Sequence, residues 1–222
     1  MYNLSTARLL TDVQKKILAE FFSSPLTQSF FLTGGTALSA FYFGHRQSKD
    51  FDFFSSEFFD MDRIREFIQS IALNNDASYA EKISTQTYKE IYLDFPDGVS
   101  QRIDIVREQP VHFGEIAIVD GIRVDNLENI GANKINAIFG RLEPKDFIDL
   151  YFILHNSSWT FDALFERAKK KDMGLEPFMF SYSLSNASTI ITWPKIIGSI
   201  KSDDIVRYFH VQAEQMLKSI QP

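Results

Sequence analysis

The chain contains no cysteine among its 222 residues. Disulfide bonds, thiolate metal sites and a cysteine nucleophile are therefore excluded. The four histidines show no His-x-x-x-His or similar spacing, so the pattern does not indicate a zinc site. The G-x-S-x-G elbow of many serine hydrolases is also missing, and nothing else in the sequence favours Ser-His-Asp hydrolysis.

Basic residues are fewer than acidic residues. Lys and Arg number 23 against 29 Asp and Glu, which gives a formal net charge of −6. Proteins that coat nucleic acid usually carry a basic excess, so sequence-specific DNA binding is not expected, although a local basic groove is compatible with this charge. No apolar run approaches the ~20 residues of a membrane span, and the first residues lack the apolar segment of a secretory signal. We therefore expect a cytoplasmic protein that makes no membrane contact.

Hydrophobic residues make up 45% of the chain and 22 residues are Phe, which is enough to bury a substantial core. Periodicity predicts strands at 30–33, 49–54, 80–87, 90–95, 102–107, 115–119 and 122–124, with helices at 11–23, 36–43 and 60–73. From about residue 126 only helices are predicted, at 126–140, 145–155, 161–173, 178–191 and 203–219. The expected fold class is α/β (α+β): a mixed β-sheet with flanking helices in residues 1–125, then an all-helical domain in residues 126–222.

The first candidate site follows the strand predicted at 30–33, which ends in Gly34-Gly35-Thr36. Glycine lets the backbone turn sharply and approach a ligand closely. The start of the following helix offers unpaired N–H groups to a phosphate, and Thr36 adds a hydroxyl donor. Two glycines before a helix are more often a plain turn, so the phosphate-site prediction depends on a second motif.

That second motif is Asp50-Phe51-Asp52, on a predicted strand whose alternation sends both carboxylates to one face, roughly 6–7 Å apart. Two such groups repel each other unless a divalent cation lies between them, and Mg²⁺ prefers carboxylate and phosphate oxygens. Asp104, in a later strand, could be a third ligand or the base for an acceptor hydroxyl. Each feature alone also fits a solvated sheet edge. Together they predict nucleotidyl transfer from an NTP, dependent on Mg²⁺ (or Mn²⁺), with Asp50, Asp52 and Asp104 at the metal.

A second constellation lies in the helical part. Lys134 and Arg141 are seven residues apart on one predicted helix and share a face, which could bind the nucleotide or simply be solvated. Asp146 and Asp149 share a face of the next helix. Asp146 also suits the first turn of that helix, where a carboxylate favours the dipole. Asp149 lies among apolar residues and would need a partner, for which Lys134 and Arg141 are the candidates.

Residues 32–38 and 44–53, including Arg46-x-Ser48-x-Asp50, resemble the first motif of the AbiEii/AbiGii-type toxin nucleotidyltransferases of the DNA polymerase beta-like superfamily. Thr36 departs from the wider superfamily, where Ser is commoner, but keeps the hydroxyl. A second stretch is similar in order to the same family: Asn126-Leu127, Ala132-Asn133-Lys134, Ala137, Arg141, Lys145-Asp146 and Asp149-Leu150-Tyr151. The resemblance spans roughly residues 28–155.

The resemblance implies a nucleotidyltransferase-type sheet and an enzyme that releases pyrophosphate from an NTP. With the motifs it gives the expected catalytic residues, Asp50, Asp52, Asp104, Lys134 and Asp146. The expected nucleotide-binding residues are Gly34, Gly35, Thr36, Arg46, Ser48, Lys134 and Arg141. Arg46 and Ser48 either hold the loop before Asp50 or contact phosphate. NTP·Mg²⁺ is expected in a cleft between the two domains.

The resemblance also implies a biological role, the toxin of a type IV toxin–antitoxin or abortive-infection system. Its acceptor would be RNA, such as the acceptor end of tRNA, or another hydroxyl compound. A cognate antitoxin would act without forming a stable complex. Two alternatives remain open at the sequence level: an antibiotic-type nucleotidyltransferase with a small-molecule acceptor, and a non-catalytic nucleotide-binding module.

Overall fold

The computed structural model describes residues 1–7, 9–108 and 111–220. The chain divides into two compact units, Met1–Asn126 and Leu127–Pro222. The division lies one residue beyond the boundary that the change in sequence pattern predicts.

The first unit is built on a mixed seven-stranded sheet, which confirms the predicted fold class. Its strands are β1 Phe31–Thr33, β2 Phe51–Ser55, β3 Ser78–Ser84, β4 Tyr88–Asp94, β5 Ser100–Arg107, β6 Ala117–Val119 and β7 Ile122–Val124. The spatial order is β3-β4-β5-β2-β1-β7-β6. The pairs β2–β5 and β1–β7 are parallel, and the other neighbours are antiparallel.

Among the described residues of this unit, the α-helices are α1 Asp12–Ser23, α2 Gly34–Ala37 and α3 Met61–Asn74, and α2 continues as a π-helical stretch, Leu38–Phe43. Helix α1 begins after Thr11, whose side chain forms a capping box with Gln14. Val13, which its spacing places on the apolar face, is exposed. Gln14 is buried instead, because its amide donates to the side chain of Gln101 and to the carbonyl of Lys49.

Strand β2 owes its orientation to two aromatic side chains. Phe51 and Phe53 are fully buried on one face of the sheet, and Phe53 stacks on Phe21 of α1 with ring centroids 3.8 Å apart. Successive side chains of a strand point to opposite faces. Burial of the two phenylalanines therefore directs Asp52, which lies between them, to the other face.

The second unit contains five α-helices among its described residues, up to residue 220: α4 Leu127–Gly140, α5 Pro144–Asn156, α6 Phe161–Lys171, α7 Pro177–Ser185 and α8 Ser202–Ile220. Helix α4 packs against α5, α6 and α7, and α7 packs against α8. Pro144 opens α5, where its missing N–H costs no helical hydrogen bond. Within residues 1–7, 9–108 and 111–220, none of the helices combines the length and apolarity needed to cross a membrane.

Candidate active site

Gly34 joins β1 directly to α2, so the glycine pair forms the first turn of the helix rather than a loop before it. Its φ of +69° lies in the left-handed region that favours glycine. A Cβ at this position would also collide with the carboxylate of Asp52. Gly34 therefore allows both the backbone turn and the close approach of Asp52.

Arg46 and Ser48 lie over the second glycine. A Cβ on Gly35 would collide with the guanidinium of Arg46 and would stand 2.9 Å from Oγ of Ser48. Arg46 is buried, and its Nη1 donates to the carbonyl of Gln47 at 2.9 Å. The structure thus brings both predicted residues to the start of α2, and at least one Arg46 contact holds its own loop.

Thr36 is fully buried, and its hydroxyl donates to the backbone carbonyl of Asp50 at 2.5 Å. The hydroxyl proton therefore has a different partner from the phosphate that the sequence analysis expects. The contact ties α2 to the segment that carries Asp50. Thr36 therefore positions Asp50.

Asp50, Asp52 and Asp104 come together where β2, the central strand of the sheet, begins beside β5. β2 begins at Phe51, so Asp50 lies just before the strand that was predicted to contain it. Asp52 is the direct register partner of Asp104 in the neighbouring parallel strand β5. Burial raises the pKa of Asp104 and the negative charges of Glu90 and Asp50 raise it further, while Arg102 opposes the rise. Asp50 lies two residues before Asp52 in the chain and contributes to this rise in the pKa of Asp104.

Arg102 is a member of this cluster that the sequence analysis missed. Its Nε donates to Oδ1 of Asp104 at 2.9 Å and its Nη2 donates to Oδ2 at 2.8 Å. Such a fork is a strong, geometrically specific contact for a carboxylate. The signal was present in the sequence, because residues 102 and 104 are two apart on one strand and must share a face.

The carboxylates offer a donor set that fits a divalent cation shared with a substrate. Across the described ranges, no group of three or more His, Cys, Asp or Glu side chains is arranged to hold a metal ion. Mg²⁺ commonly takes only one or two protein carboxylates, and phosphates and water supply the remaining ligands. Asp52 and Asp104, adjacent on parallel strands, match that smaller requirement.

The predicted residues of the helical unit form a buried ionic cluster. Nζ of Lys134 lies 2.8 Å from Asp146 and 2.6 Å from Asp149, and both carboxylates are fully buried. Nε of the half-exposed Arg141 lies 3.0 Å from Asp146. Lys134 is thus the partner that Asp149 was expected to need. Lys134 itself is buried between two acids rather than displayed on an open helix face.

The same cluster sets the acidity of Asp146. Burial by itself would raise the pKa of this carboxyl, but the attraction of Lys134 and Arg141 and their hydrogen bonds outweigh burial and lower it. Asp146 is therefore held in its charged form, which suits a structural anchor as well as a charged functional group.

Asp125 is another buried carboxylate, and the spacing of the motifs did not reveal it. It follows β7 and accepts hydrogen bonds from the hydroxyl of Thr33 at 2.6 Å and from the backbone N–H of Asn126 at 2.8 Å. Nε2 of His112 lies 3.0 Å away. Because Thr33 is the residue before Gly34, this contact fixes the end of β1 from which α2 starts.

Replacing Gly34 with alanine is expected to lower nucleotidyl transfer by about a hundredfold, because the added methyl group displaces Asp52 by an ångström or more. The left-handed backbone adds about 1–2 kcal/mol of strain. Gly44→Ala is the matched control, since Gly44 has a similar φ of +63° and nothing within 4 Å of its would-be Cβ. Transfer rates and urea unfolding of both variants test this; equal loss of activity in the two would contradict a specific role for Gly34.

The chain is similar to several known proteins. The model of the family described as "Nucleotidyl transferase AbiEii toxin, Type IV TA system" matches residues 16–204. "Uncharacterized protein aq_aa25" of Aquifex aeolicus (strain VF5) is 30% identical over 168 residues, which cover 74% of this chain and 76% of that protein.

Two solved structures share the fold. An H. pylori protein assigned as a nucleotidyltransferase has a TM-score of 0.62 at 19% identity, with 95% of this chain and 97% of that chain covered. MenT4, a nucleotidyltransferase toxin of Mycobacterium tuberculosis H37Rv, has a TM-score of 0.55 at 13% identity, with 95% and 92% covered. The family match extends from the first helix into the last one, and the protein therefore belongs to the AbiEii family of nucleotidyltransferase toxins.

Proposed function

We propose that this nucleotidyltransferase transfers a nucleoside monophosphate from an NTP to an acceptor hydroxyl, in a Mg²⁺-dependent reaction at Asp50, Asp52 and Asp104. The observation that carries the proposal is the direct pairing of Asp52 with Asp104 on parallel strands, beside Gly34 at the start of α2. Carboxylates for a cation and N–H groups for a phosphate therefore lie next to each other.

In this proposal the first turn of α2 receives the phosphates. Because Gly34 and Gly35 have no side chains, Asp52 and Arg46 lie directly against this turn and flank its N–H groups. The guanidinium of Arg46, which lies against Gly35, adds positive charge there. Thr36 keeps Asp50 in place through the carbonyl contact.

The chemistry is a substitution at the α-phosphorus. The acceptor oxygen forms a bond to that phosphorus, the α–β anhydride bond breaks, and pyrophosphate leaves. A divalent cation, when bound, would stabilise the charge that develops on the phosphate oxygens. Asp104, which is also a proposed ligand of that cation, is the proposed acceptor of the hydroxyl proton.

The proposed biological role is that of the toxin in a type IV toxin–antitoxin system, with RNA as the acceptor class and the acceptor end of tRNA as the first candidate. The family description and the resemblance of the motifs support this role. The net charge of −6 favours contact with the end of an RNA over contact along its length. The cognate antitoxin is proposed to act without a stable complex.

Incubation with each α-labelled NTP, Mg²⁺ and total tRNA is expected to place the label on RNA, because the α-phosphate is retained in the product. A γ-labelled NTP is expected to leave the RNA unlabelled, because its label departs with pyrophosphate, and a chelator is expected to stop transfer. Label in the small-molecule fraction of a cell extract would instead identify an antibiotic-type enzyme. NTP binding in calorimetry without turnover on any acceptor would identify a non-catalytic module.

A further inference from the structure

Arg102 lies between two carboxylates on the face of the sheet that carries Asp104. Its guanidinium forms the fork with both oxygens of Asp104, and its Nη2 also lies 3.1 Å from Oε2 of Glu90. The antiparallel pairing of β4 with β5 places Glu90 directly opposite Asp104. One cation is therefore shared by two neighbouring carboxylates.

The fork restricts what Asp104 can bind. A carboxylate offers about four lone-pair positions, and the guanidinium occupies one on each oxygen. A divalent cation at Asp104 would also stand close to a group of the same sign, and such charges repel strongly near a partly buried site. Asp104 can accept a cation well only if Arg102 loosens its contact.

Other acceptors for the guanidinium lie within its reach. The hydroxyl of Tyr88 accepts a hydrogen bond from Nη2 of Arg102 at 3.2 Å and donates to Oε2 of Glu90 at 3.2 Å. Glu90 and Tyr88 together form an acceptor pair that can keep the guanidinium after Asp104 is released. The move needs only a side-chain rotation, because both carboxylates are already within contact distance.

We propose that Arg102 is a positioning residue, which holds the Asp104 carboxylate while the cation is absent and turns to Glu90 when a cation binds Asp104. The inference rests on the proposed function in one respect, that Asp104 is a metal ligand. Arg102 then weakens metal binding to the protein without nucleotide. Glu90 strengthens metal binding, and it does so by accepting Arg102.

The test measures the affinity of the full chain for Mn²⁺ in the absence of nucleotide. Electron paramagnetic resonance detects the bound and free Mn²⁺. Arg102→Ala is expected to tighten Mn²⁺ binding about tenfold, because the competing cation is gone. Glu90→Gln is expected to weaken binding about fivefold in the wild-type background and to change it less than about twofold in the Arg102→Ala background. Lys82→Ala is the control: Lys82 lies on the ring of Tyr92, 3.9 Å from its centroid, and its removal is expected to leave the affinity unchanged.

The outcomes separate this inference from the function on which it rests. If Glu90→Gln lowers the Mn²⁺ affinity equally in both backgrounds, Glu90 acts on the cation by charge attraction alone. That result would overturn the proposed move of Arg102 from Asp104 to Glu90. The proposal would also be overturned if Lys82→Ala raised the Mn²⁺ affinity as much as Arg102→Ala does. If Asp104→Asn leaves Mn²⁺ binding intact, or no variant binds Mn²⁺, the proposed metal site fails as well. Circular dichroism of each variant verifies that the sheet is folded.

Discussion

Replacing Asp52 with asparagine is expected to lower the rate of nucleotidyl transfer by about three orders of magnitude, a loss of about 4 kcal/mol of transition-state stabilisation. Asparagine has nearly the same shape, so the contact with Gly34 and the pairing with β5 should survive. What disappears is the negative charge that, in the proposed reaction, holds the cation beside Asp104. Initial rates with α-labelled NTP at saturating Mg²⁺ measure the effect.

The control for this variant is Asp62→Asn, which removes the same charge from the exposed first turn of α3, where the Asp62 side chain is 71% exposed. Its transfer rate should equal that of the wild type. Urea unfolding of Asp52→Asn should show a stability within about 1 kcal/mol of the wild type, because the side chain is not part of the apolar core. Full activity of Asp52→Asn would contradict the proposed role of this carboxylate.

The strands that carry the site could be predicted because their alternation is local. Phe51 and Phe53 bury one face of β2, and Ile103 and Ile105 bury one face of β5. Each strand therefore reveals, by itself, that its aspartate points away from the core. The sequence could not reveal that Asp52 pairs with Asp104, because that register is set by strands about fifty residues apart.

The partners of polar side chains were harder to predict than their positions. The hydroxyl of Thr36 was expected to face a phosphate, yet it donates to the carbonyl of Asp50, which only the folded chain brings within reach. Val13 and Gln14 are adjacent in α1, and helical spacing alone favoured burying Val13. A glutamine becomes buried only when distant acceptors, here including Gln101, satisfy its amide.

Replacing Lys134 with methionine is expected to lower the free energy of unfolding by about 3–5 kcal/mol, because Asp146 and Asp149 would remain buried without their shared ammonium. Methionine retains most of the side-chain volume, so the loss reports charge rather than packing. Urea denaturation of the full chain measures it. Lys145→Met is the control, since its side chain is 35% exposed and its Glu143 partner 43% exposed, and a loss below about 1 kcal/mol is expected.

The pH dependence of stability distinguishes two roles for Lys134: an ionic anchor of the fold, or a side chain that contacts the nucleotide. The pKa of Asp146 lies below its ordinary value of 3.8 in the folded protein, so its stabilisation is complete above that value and is lost as pH falls through the lower folded pKa. Without Lys134 the folded pKa rises, and acid unfolding should begin at a higher pH than in the wild type. A Lys134→Met protein with unchanged stability and acid unfolding, but weakened NTP binding, would contradict the anchor and identify Lys134 as a nucleotide contact alone.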